Sequence, residues 1–259
     1  ITIRNCYFHD NDMGLTGSTG AANILVENCE FNYNGTDLFY AYAHALYMSC
    51  DDLTVRGCYF HDAYGGMLFK SRCLHHVLEY SWLENDGSEQ CVINAASANQ
   101  DNALWRGNVF IKRSTPGGQR RIINLDDGTG LFGTVTMINN TVISALTADI
   151  YLASASANAA DLVLRNNIFA GPSSDLLAWD GGGTITGNNN CFRTAMAPEV
   201  PAGVIDSVFS DDPGFVNLAG RDLHLLDTSA CRNAGLNNPT YLNELDQWVD
   251  GTPQYEPTK

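Results

Sequence analysis

Ile3-Arg-Asn5-Cys-Tyr-Phe8 opens the chain, and its pattern of apolar residue, any residue, Asn, two residues and Phe returns along most of the 259 residues. The close copies are Val26-Glu-Asn28-Cys-Glu-Phe31, Val55-Arg-Gly57-Cys-Tyr-Phe60 and Leu164-Arg-Asn166-Asn-Ile-Phe169. The weaker copies are Leu78-Glu-Tyr80-Ser-Trp-Leu83, Trp105-Arg-Gly107-Asn-Val-Phe110, Met137-Ile-Asn139-Asn-Thr-Val142 and Ile185-Thr-Gly-Asn-Asn-Asn-Cys-Phe192. Their last residues lie 23, 29, 23, 27, 32, 27 and 23 residues apart. A period of about 20–50 residues indicates a solenoid, in which each repeat packs on its neighbours.

Each copy predicts a short β-strand followed by a corner. Apolar and polar residues alternate over about five positions, the period of a strand with one buried face. Gly, Asn, Asp and Ser clusters separate the copies, and no helical stripe lies between them. Strands of successive repeats should therefore stack in parallel, about 4.8 Å apart. The Asn of the phrase suits a left-handed backbone at a sharp corner, where Gly57 and Gly107 can replace it.

Two further positions of the phrase predict contacts between coils. The residue after the corner is small or an amide, which favours a ladder of like side chains. Its members are Cys6, Cys29, Cys58, Ser81, Asn108, Asn140 and Asn167. The Phe, Val or Leu that ends each copy should stack as an apolar column in the core.

These strands, corners and ladder positions resemble the right-handed parallel β-helix family over nearly the whole chain. The resemblance implies an all-β, right-handed parallel β-helix solenoid of about eight to nine coils, with the handedness taken from the family. We expect the β-helix to cover residues 1–235 and a C-terminal cap or tail to cover residues 236–259. Residues 212–235 look like the closing coil of many such proteins.

Composition excludes some classes of partner. The net charge of −15 argues against nucleic acid, which needs a basic surface, and no apolar run is long enough to insert in a membrane. Charge is uneven, because residues 70–121 carry +2 and the remainder of the chain carries −17. That middle region would attract an anion.

The first residue, Ile1, lies inside a predicted strand. Either the chain is a fragment of a longer precursor, or its first coil accepts a strand edge from another molecule. The second case makes head-to-tail self-association a further expectation.

The eight cysteines follow the repeat. Cys6, Cys29 and Cys58 share one repeat position, which favours burial as small apolar groups. No Cys-x-x-Cys pair is present, so a zinc site is not supported. Cysteines on neighbouring coils would lie close enough for a bridge, although parallel side chains make one less easy.

Lys70 and Arg72 are the leading catalytic candidates. They lie two apart on a predicted strand, so they share a face, while Phe69 should point inward. Two cations on one face repel each other, which favours a neutral lysine amine, and arginine stays charged and can hold a carboxylate. β-Elimination of a uronic-acid polymer needs both, a base for the proton and a group that neutralises the sugar carboxylate. The competing interpretation is two surface cations, solvated or paired with Glu79 and Glu84.

The phrase Gly66-Met-Leu-Phe-Lys70-Ser-Arg72, which follows Phe60-His-Asp62, resembles a subgroup of bacterial β-helix proteins. It is also loosely similar to polysaccharide lyases of β-helix fold, which use a Lys base and an Arg partner on neighbouring coils. Because Arg72 shares the strand of Lys70 instead, Arg121 is a further catalytic candidate, and Arg106 and Arg120 are candidates for substrate binding.

Histidine and aromatic residues extend the predicted site. His44 and His75 have no counterpart in other repeats and so carry more functional weight than His9 and His61, which occupy equivalent positions. We include His44 among the catalytic candidates. The aromatic residues proposed to stack on sugar rings are Tyr47, Tyr64 and Trp82, although core packing explains them as easily.

Two acidic pairs suggest calcium. Asp51-Asp52 and Asp126-Asp127 occur at predicted turns and offer the oxygen ligands that Ca²⁺ takes, and lyases of this fold often use such an ion. Solvated turn aspartates are the alternative. Carboxylates on adjacent coils would also suit a glycoside hydrolase, but the paired Asp and Gly-His-Gly phrases of the pectin-hydrolysing β-helix proteins are absent.

Two functions follow. The first is a carbohydrate-active protein, secreted or on the cell surface by family habit, that cleaves an acidic polysaccharide or glycan by β-elimination. The second is a non-catalytic β-solenoid, an adhesin, fibre or spike subunit, that self-associates or binds glycans. Fold does not separate them, because function depends on the site.

Overall fold

The computed structural model of the chain is a stack of β-strand coils. It describes residues 1–35, 43–85, 91–93, 102–113, 120–125, 133–154, 160–179, 182–237, 240–242 and 248–250. Strands of successive coils form three parallel sheets, here called sheets 1, 2 and 3 in the order in which the chain enters them. Seven coils contribute a strand to every sheet, and two further coils contribute to sheets 1 and 2. The predicted all-β parallel solenoid is confirmed.

Sheets 1 and 2 contain the two halves of the repeated phrase. The strands of sheet 1 are β1 (Thr2–Arg4), β4 (Ile24–Glu27), β7 (Asp52–Arg56), β10 (His75–Glu79), β13 (Asn102–Arg106), β16 (Thr134–Ile138), β19 (Asp161–Arg165), β22 (Ile185–Asn188) and β24 (Val204–Ile205). The strands of sheet 2 are β2 (Tyr7–His9), β5 (Glu30–Asn32), β8 (Tyr59–His61), β11 (Trp82–Asn85), β14 (Val109–Lys112), β17 (Thr141–Ser144), β20 (Ile168–Ala170), β23 (Cys191–Phe192) and β25 (Val208–Phe209).

Sheet 3 closes each coil. Its strands are β3 (Leu15–Gly17), β6 (Leu46–Met48), β9 (Phe69–Ser71), β12 (Cys91–Ile93), β15 (Arg121–Asn124), β18 (Ile150–Ser154) and β21 (Leu177–Trp179). A short 3-10 helix (Thr194–Glu199) lies between β23 and β24. After the stacked strands come the antiparallel pair β26 (Phe215–Asn217) and β27 (Asp222–Leu225), and the pair β28 (Thr240–Leu242) and β29 (Trp248–Asp250). No helix in the described residues is long and apolar enough to cross a membrane.

The corner between sheets 1 and 2 has the left-handed backbone that the phrase predicts. Nine consecutive corner residues have φ between 50° and 61°, and they are Asn5, Asn28, Gly57, Tyr80, Gly107, Asn139, Asn166, Asn189 and Asp206. Gly, Asn and Asp tolerate this conformation better than other residues do. Tyr80 is the exception, and the guanidinium of Arg106 lies 5.5 Å from the centre of its ring.

The residues after these corners form the expected ladder, which is buried from Cys29 to Asn190. The predicted burial of Cys6 is wrong, because Cys6 lies on the first coil and is exposed. Four of them, here called the asparagine ladder, are Asn108, Asn140, Asn167 and Asn190. Each amide oxygen from Asn140 onward accepts the backbone N–H and the side-chain NH₂ of the preceding ladder residue, at 2.9–3.0 Å. Earlier coils use smaller groups in the same place, since the Cys58 N–H donates to the Ser81 hydroxyl at 3.1 Å. The ladder thus satisfies backbone groups at a corner that strand pairing leaves open.

The last residue of each phrase builds the apolar column. Phe8, Phe31 and Phe60 stack with ring centres 4.8 and 4.5 Å apart, and Phe169 and Phe192 stack at 5.1 Å. All but Phe8 are fully buried or nearly so. The column belongs to one continuous core that includes residues from all three sheets.

The C-terminal segment lies against the side of the solenoid, which corrects the expectation of a closing coil at residues 212–235. β26 and β27 form an antiparallel hairpin, and Phe215 and Leu223 pack on the outer face of sheet 2. They cover an apolar patch of Trp82, Val109, Ile111, Ile143 and Ala170. An outward apolar patch on a half-exposed sheet needs such a cover, because leaving it in water would be unfavourable.

Two links hold this hairpin segment in place. Arg221 donates to both carboxylate oxygens of Glu84, at 2.9 and 3.0 Å, across 137 residues of sequence. Cys231 forms a disulfide with Cys191 of β23. Burial alone would raise the pKa of Glu84, but hydrogen bonds from Arg221 and from the Trp82 indole outweigh it, and the pKa lies below its usual range.

We expect Arg221→Ala to lower the free energy of unfolding by about 2 kcal/mol, because a nearly buried carboxylate loses a bidentate partner. The loss stays moderate, since Glu84 keeps the Trp82 N–H at 3.0 Å and Arg113 at 3.7 Å. Urea denaturation measures this change, and indole fluorescence should shift to the red as Trp82 loses its cover. Arg232→Ala, which removes a more exposed cation paired with Asp227, is the control and should leave both signals unchanged. Equal effects of the two variants would contradict the assignment.

Candidate functional site

The outer face of sheet 3 carries the leading candidates. Tyr47 of β6 pairs with Lys70 of β9, so their side chains are neighbours in one row. Phe69 and Ser71, on either side of Lys70, are fully buried, and Phe69 belongs to the core as predicted. Lys70 itself is only 8% exposed, so it is not the open surface cation that the competing interpretation supposes.

Both cations converge on one tyrosine ring. The Lys70 ammonium lies 5.2 Å from the centre of the Tyr47 ring, and the Arg72 guanidinium lies 5.7 Å from it. Cations within about 6 Å of a ring centre are attracted by the ring's electron density. Tyr47 is therefore the shared neighbour of both cations.

His44 completes the group at the edge of Tyr47. Its ring meets the tyrosine ring edge to face at 5.5 Å, and its side chain is buried. The Met67 N–H donates to Nδ1 at 3.1 Å, so the neutral ring carries its proton on Nε2. Gly66 permits this contact, because its φ is +71° and a Cβ there would lie 1.4 Å from the Ala43 carbonyl oxygen. The glycine before the Lys-Ser-Arg phrase thus positions the histidine.

The row continues along the axis of the solenoid. Lys70 pairs with Val92 of β12, which pairs with Asn124 of β15. At about 4.8 Å per coil, Asn124 lies roughly 10 Å beyond Lys70. Arg121 is on the same strand, and its guanidinium lies 3.4 Å from the Asn124 amide oxygen. Arg121 therefore reaches Asn124 with its guanidinium and stands two coils away from Lys70.

Asn124 is a polar member of the row that the sequence did not suggest. It lies in a stretch without the repeated phrase, and a lone Asn on a strand carries no pattern that would single it out. Its position follows only from the register of the three strands.

The other substrate-binding candidates lie elsewhere. Arg106 is on sheet 1 and binds Glu79 at 2.7 Å, in a ladder of alternating charge with Arg56. Trp82 is buried beneath the C-terminal hairpin. Tyr64 is exposed at the corner after sheet 2, with its ring centre 5.4 Å from that of Tyr33, and Arg120 is exposed just before β15. The structure gathers His44, Tyr47, Lys70 and Arg72 and leaves these four apart from them.

The structure describes two of the four predicted calcium ligands, Asp51 and Asp52. Asp52 binds the imidazole of His75 at 3.1 Å, and Asp51 is exposed. Asp126 and Asp127 lie outside the described residues. Among the residues that the structure describes, no three His, Cys, Asp or Glu side chains are grouped closely enough to hold a metal ion. Calcium stays a prediction.

Comparison with known proteins agrees with the fold. Residues 1–110 match a family model described as the right handed beta helix region. No curated protein and no solved structure matches the chain. Residues 1–110 are thus similar to right-handed parallel β-helix proteins, and the described residues as a whole form a parallel β-solenoid of three sheets.

Proposed function

We propose that the protein binds an acidic polysaccharide along the outer face of sheet 3 and cleaves it by β-elimination. The observation that carries this proposal is the convergence of Lys70 and Arg72 on the Tyr47 ring. Such a pair, one compact amine and one guanidinium that forks onto carboxylates, matches the two requirements of the reaction.

The proposed roles follow from the chemistry of each group. The guanidinium of Arg72 pairs with the uronate carboxylate and makes the adjacent C–H more acidic. The Lys70 nitrogen takes up that proton, the C–O bond to the next sugar breaks, and a double bond forms within the ring. His44, which carries a proton on Nε2, is the candidate donor to the departing oxygen. Arg121 and Asn124 would bind a sugar roughly two coils away.

The proposed location is outside the cell, secreted or on the cell surface. The disulfide between Cys191 and Cys231 supports it, because such bonds persist in oxidising compartments. Acidic polysaccharides are also found there.

The test is a panel of polymers followed by ultraviolet absorbance, which detects the unsaturated product. Alginate, pectate and glycosaminoglycans are each incubated with the protein, once with added Ca²⁺ and once with a chelator. At least one polymer should give a rising signal. No signal from any polymer under either condition would exclude the lyase. Binding without product would favour the non-catalytic, glycan-binding solenoid, and filaments in solution would favour the fibre or spike subunit.

With an active polymer in hand, Lys70→Ala should lower kcat/KM by about 100-fold, the lower range for loss of a general base. Arg4→Gln is the matched control, since Arg4 is an exposed cation on sheet 1 and binds Glu27. It should leave kcat/KM unchanged. Both variants are checked for folding by circular dichroism. Full activity in folded Lys70→Ala would exclude Lys70 as the base while leaving the lyase proposal standing.

A further inference from the structure

Cys50 and Cys73 meet on adjacent coils directly beside the candidate site. Their sulfur atoms are 2.6 Å apart, and both residues are buried, with 4% and 1% exposure. Each follows a strand of sheet 3 by two residues, Cys50 after β6 and Cys73 after β9. Backbone bonds fix this register, because the Arg72 N–H donates to the Met48 carbonyl at 2.7 Å and the Leu74 N–H donates to the Cys50 carbonyl at 3.0 Å.

We propose that Cys50 and Cys73 form a second disulfide, which staples two neighbouring coils. Two sulfur atoms at this separation are closer than non-bonded sulfurs pack. Neighbouring coils stand about 4.8 Å apart, which lies within the range of about 4.4–6.8 Å that disulfides span between Cα atoms. Closing the bond therefore requires rotation of the two side chains and no displacement of the strands.

The bond forms by thiol–disulfide exchange with a small disulfide oxidant. The thiolate of one cysteine attacks the oxidant and forms a mixed disulfide, which releases one small thiol. The second cysteine then attacks its neighbour's sulfur, and the second small thiol leaves. Cys50 and Cys73 together lose two protons and two electrons, and the oxidant's S–S bond takes them up as two thiols.

Cys6, Cys29 and Cys58 also lie on adjacent coils, at the corner ladder. The thiols of Cys29 and Cys58 interact with each other, and each also faces a main-chain carbonyl, at 3.3 Å from Glu27 and 3.4 Å from Arg56. There they stand in for the ladder amides of later coils. Cys50 and Cys73 lie at a different corner, and their thiols face each other.

The proposed disulfide lies next to the outer face of sheet 3. It joins the segment that continues from Tyr47 to the segment that continues from Lys70 and Arg72. A covalent link there fixes the spacing between the two coils that carry the cations and their tyrosine. Its existence does not depend on what the site binds.

Burial decides when the bond is made. The hydrogen bond with Cys73 and burial both raise the pKa of Cys50, so its reactive thiolate is scarce once the chain has folded. We therefore expect the bond to form during folding and to persist in the folded protein when mild reductant is added.

The experiment refolds the full chain with a glutathione redox pair and counts thiols after denaturation and alkylation. Of eight cysteines, two are in the bond between Cys191 and Cys231, so six thiols remain without the staple and four with it. Chymotrypsin then isolates each partner in a short peptide, Met48–Leu53 and Lys70–Leu74, each with one cysteine. The expected result is four thiols and a linked pair of these two peptides.

Three variants separate the staple from general packing effects. Cys50→Ala and Cys73→Ala should each yield five thiols and lose the linked peptides, because the partner is left single. Cys58→Ala removes a buried thiol from the ladder and should keep the link while yielding three thiols. The staple should also raise the melting temperature of the oxidised protein by roughly 5–10 °C over the Cys50→Ala variant. Six thiols in the refolded wild type, or peptides linked through other cysteines, would overturn the proposal.

Discussion

Replacing Asn140 with alanine is expected to cost about 4 kcal/mol of folding free energy, although the side chain is remote from the candidate site. The Asn140 oxygen accepts both the backbone N–H and the side-chain NH₂ of Asn108, each at 3.0 Å. Its own NH₂ donates to the Trp105 carbonyl at 2.9 Å and to the Asn167 amide oxygen at 3.0 Å. Alanine removes all four bonds from a place that is 1% exposed, where water does not replace them.

Asn139→Gly is the matched control, since it changes the adjacent residue at the same corner. Asn139 is exposed with φ of 54°, a conformation that glycine adopts without strain, so we expect a change below about 1 kcal/mol. Equilibrium denaturation in urea, followed by circular dichroism, compares the two variants. A loss below about 1 kcal/mol for Asn140→Ala would show that the ladder bonds add little to stability.

The same repeat explains why so much of the fold could be predicted. Corner, ladder and column contacts join equivalent positions of neighbouring coils, so a pattern that recurs in the sequence is also a contact in space. Asn139, Asn140 and Val142 each have a predicted role for this reason, and the first two have the predicted conformation and bonds. The handedness of the solenoid could not be predicted from the repeat, because a left-handed and a right-handed solenoid would have the same spacing of repeats.

The C-terminal hairpin could not be predicted in this way. Its anchor joins Arg221 to Glu84, which occurs once and has no periodic counterpart. A local pattern at residues 212–235 resembles a coil, but the outer face of sheet 2 presents an apolar patch that the hairpin covers. Whether residues 212–235 form a further coil or a hairpin on sheet 2 depends on that distant patch. The sequence of the segment itself carries no information about the patch.

Of the candidate site, the sequence predicted the two leading residues, Lys70 and Arg72, but not their surroundings. Lys70 and Arg72 stand out because they break the repeat within a locally basic stretch, and the structure brings them together with His44 and Tyr47. The burial of Lys70 was not predictable, because alternation along a strand gives the face of the sheet but not what packs over it. Whether they act as proposed stays a prediction for the polymer assay.

His75 and His76 are neighbours in the sequence, but strand alternation gives them different environments. His75 and His76 are alike in the sequence, yet they lie on opposite faces of β10. His75 is partly exposed and binds Asp52, whereas His76 lies in the core with 2% exposure. The Trp105 indole N–H donates to Nε2 of His76 at 3.1 Å, which requires that nitrogen to be unprotonated.

We therefore expect acidification to destabilise the protein through His76, at pH values above those at which the protein's carboxylates become protonated. Burial, with a smaller effect from the neighbouring His75, lowers the pKa of His76 to about 3 from an ordinary 6.5. The unfolded chain binds this proton first as pH falls, so the contribution to stability is complete above pH 6.5 and declines below it. The expected loss is about 3 kcal/mol by pH 4.5 and about 4 kcal/mol by pH 3.5.

The window from pH 6.5 to pH 4.5 separates the histidines from the carboxylates, and substitution then separates His76 from the other five histidines. Glu84 and Asp62 also have lowered pKa values, but their ordinary values are 4.5 and 3.8, so their contributions are lost mainly below that window. Urea denaturation at several pH values gives the slope of stability against pH. His76→Gln does not titrate and can still accept from Trp105, so its slope should be nearly flat in the window. His75→Gln changes the exposed neighbour and should keep the slope of the wild type, whereas equal slopes in His76→Gln and the wild type would show that His76 is not the group that titrates.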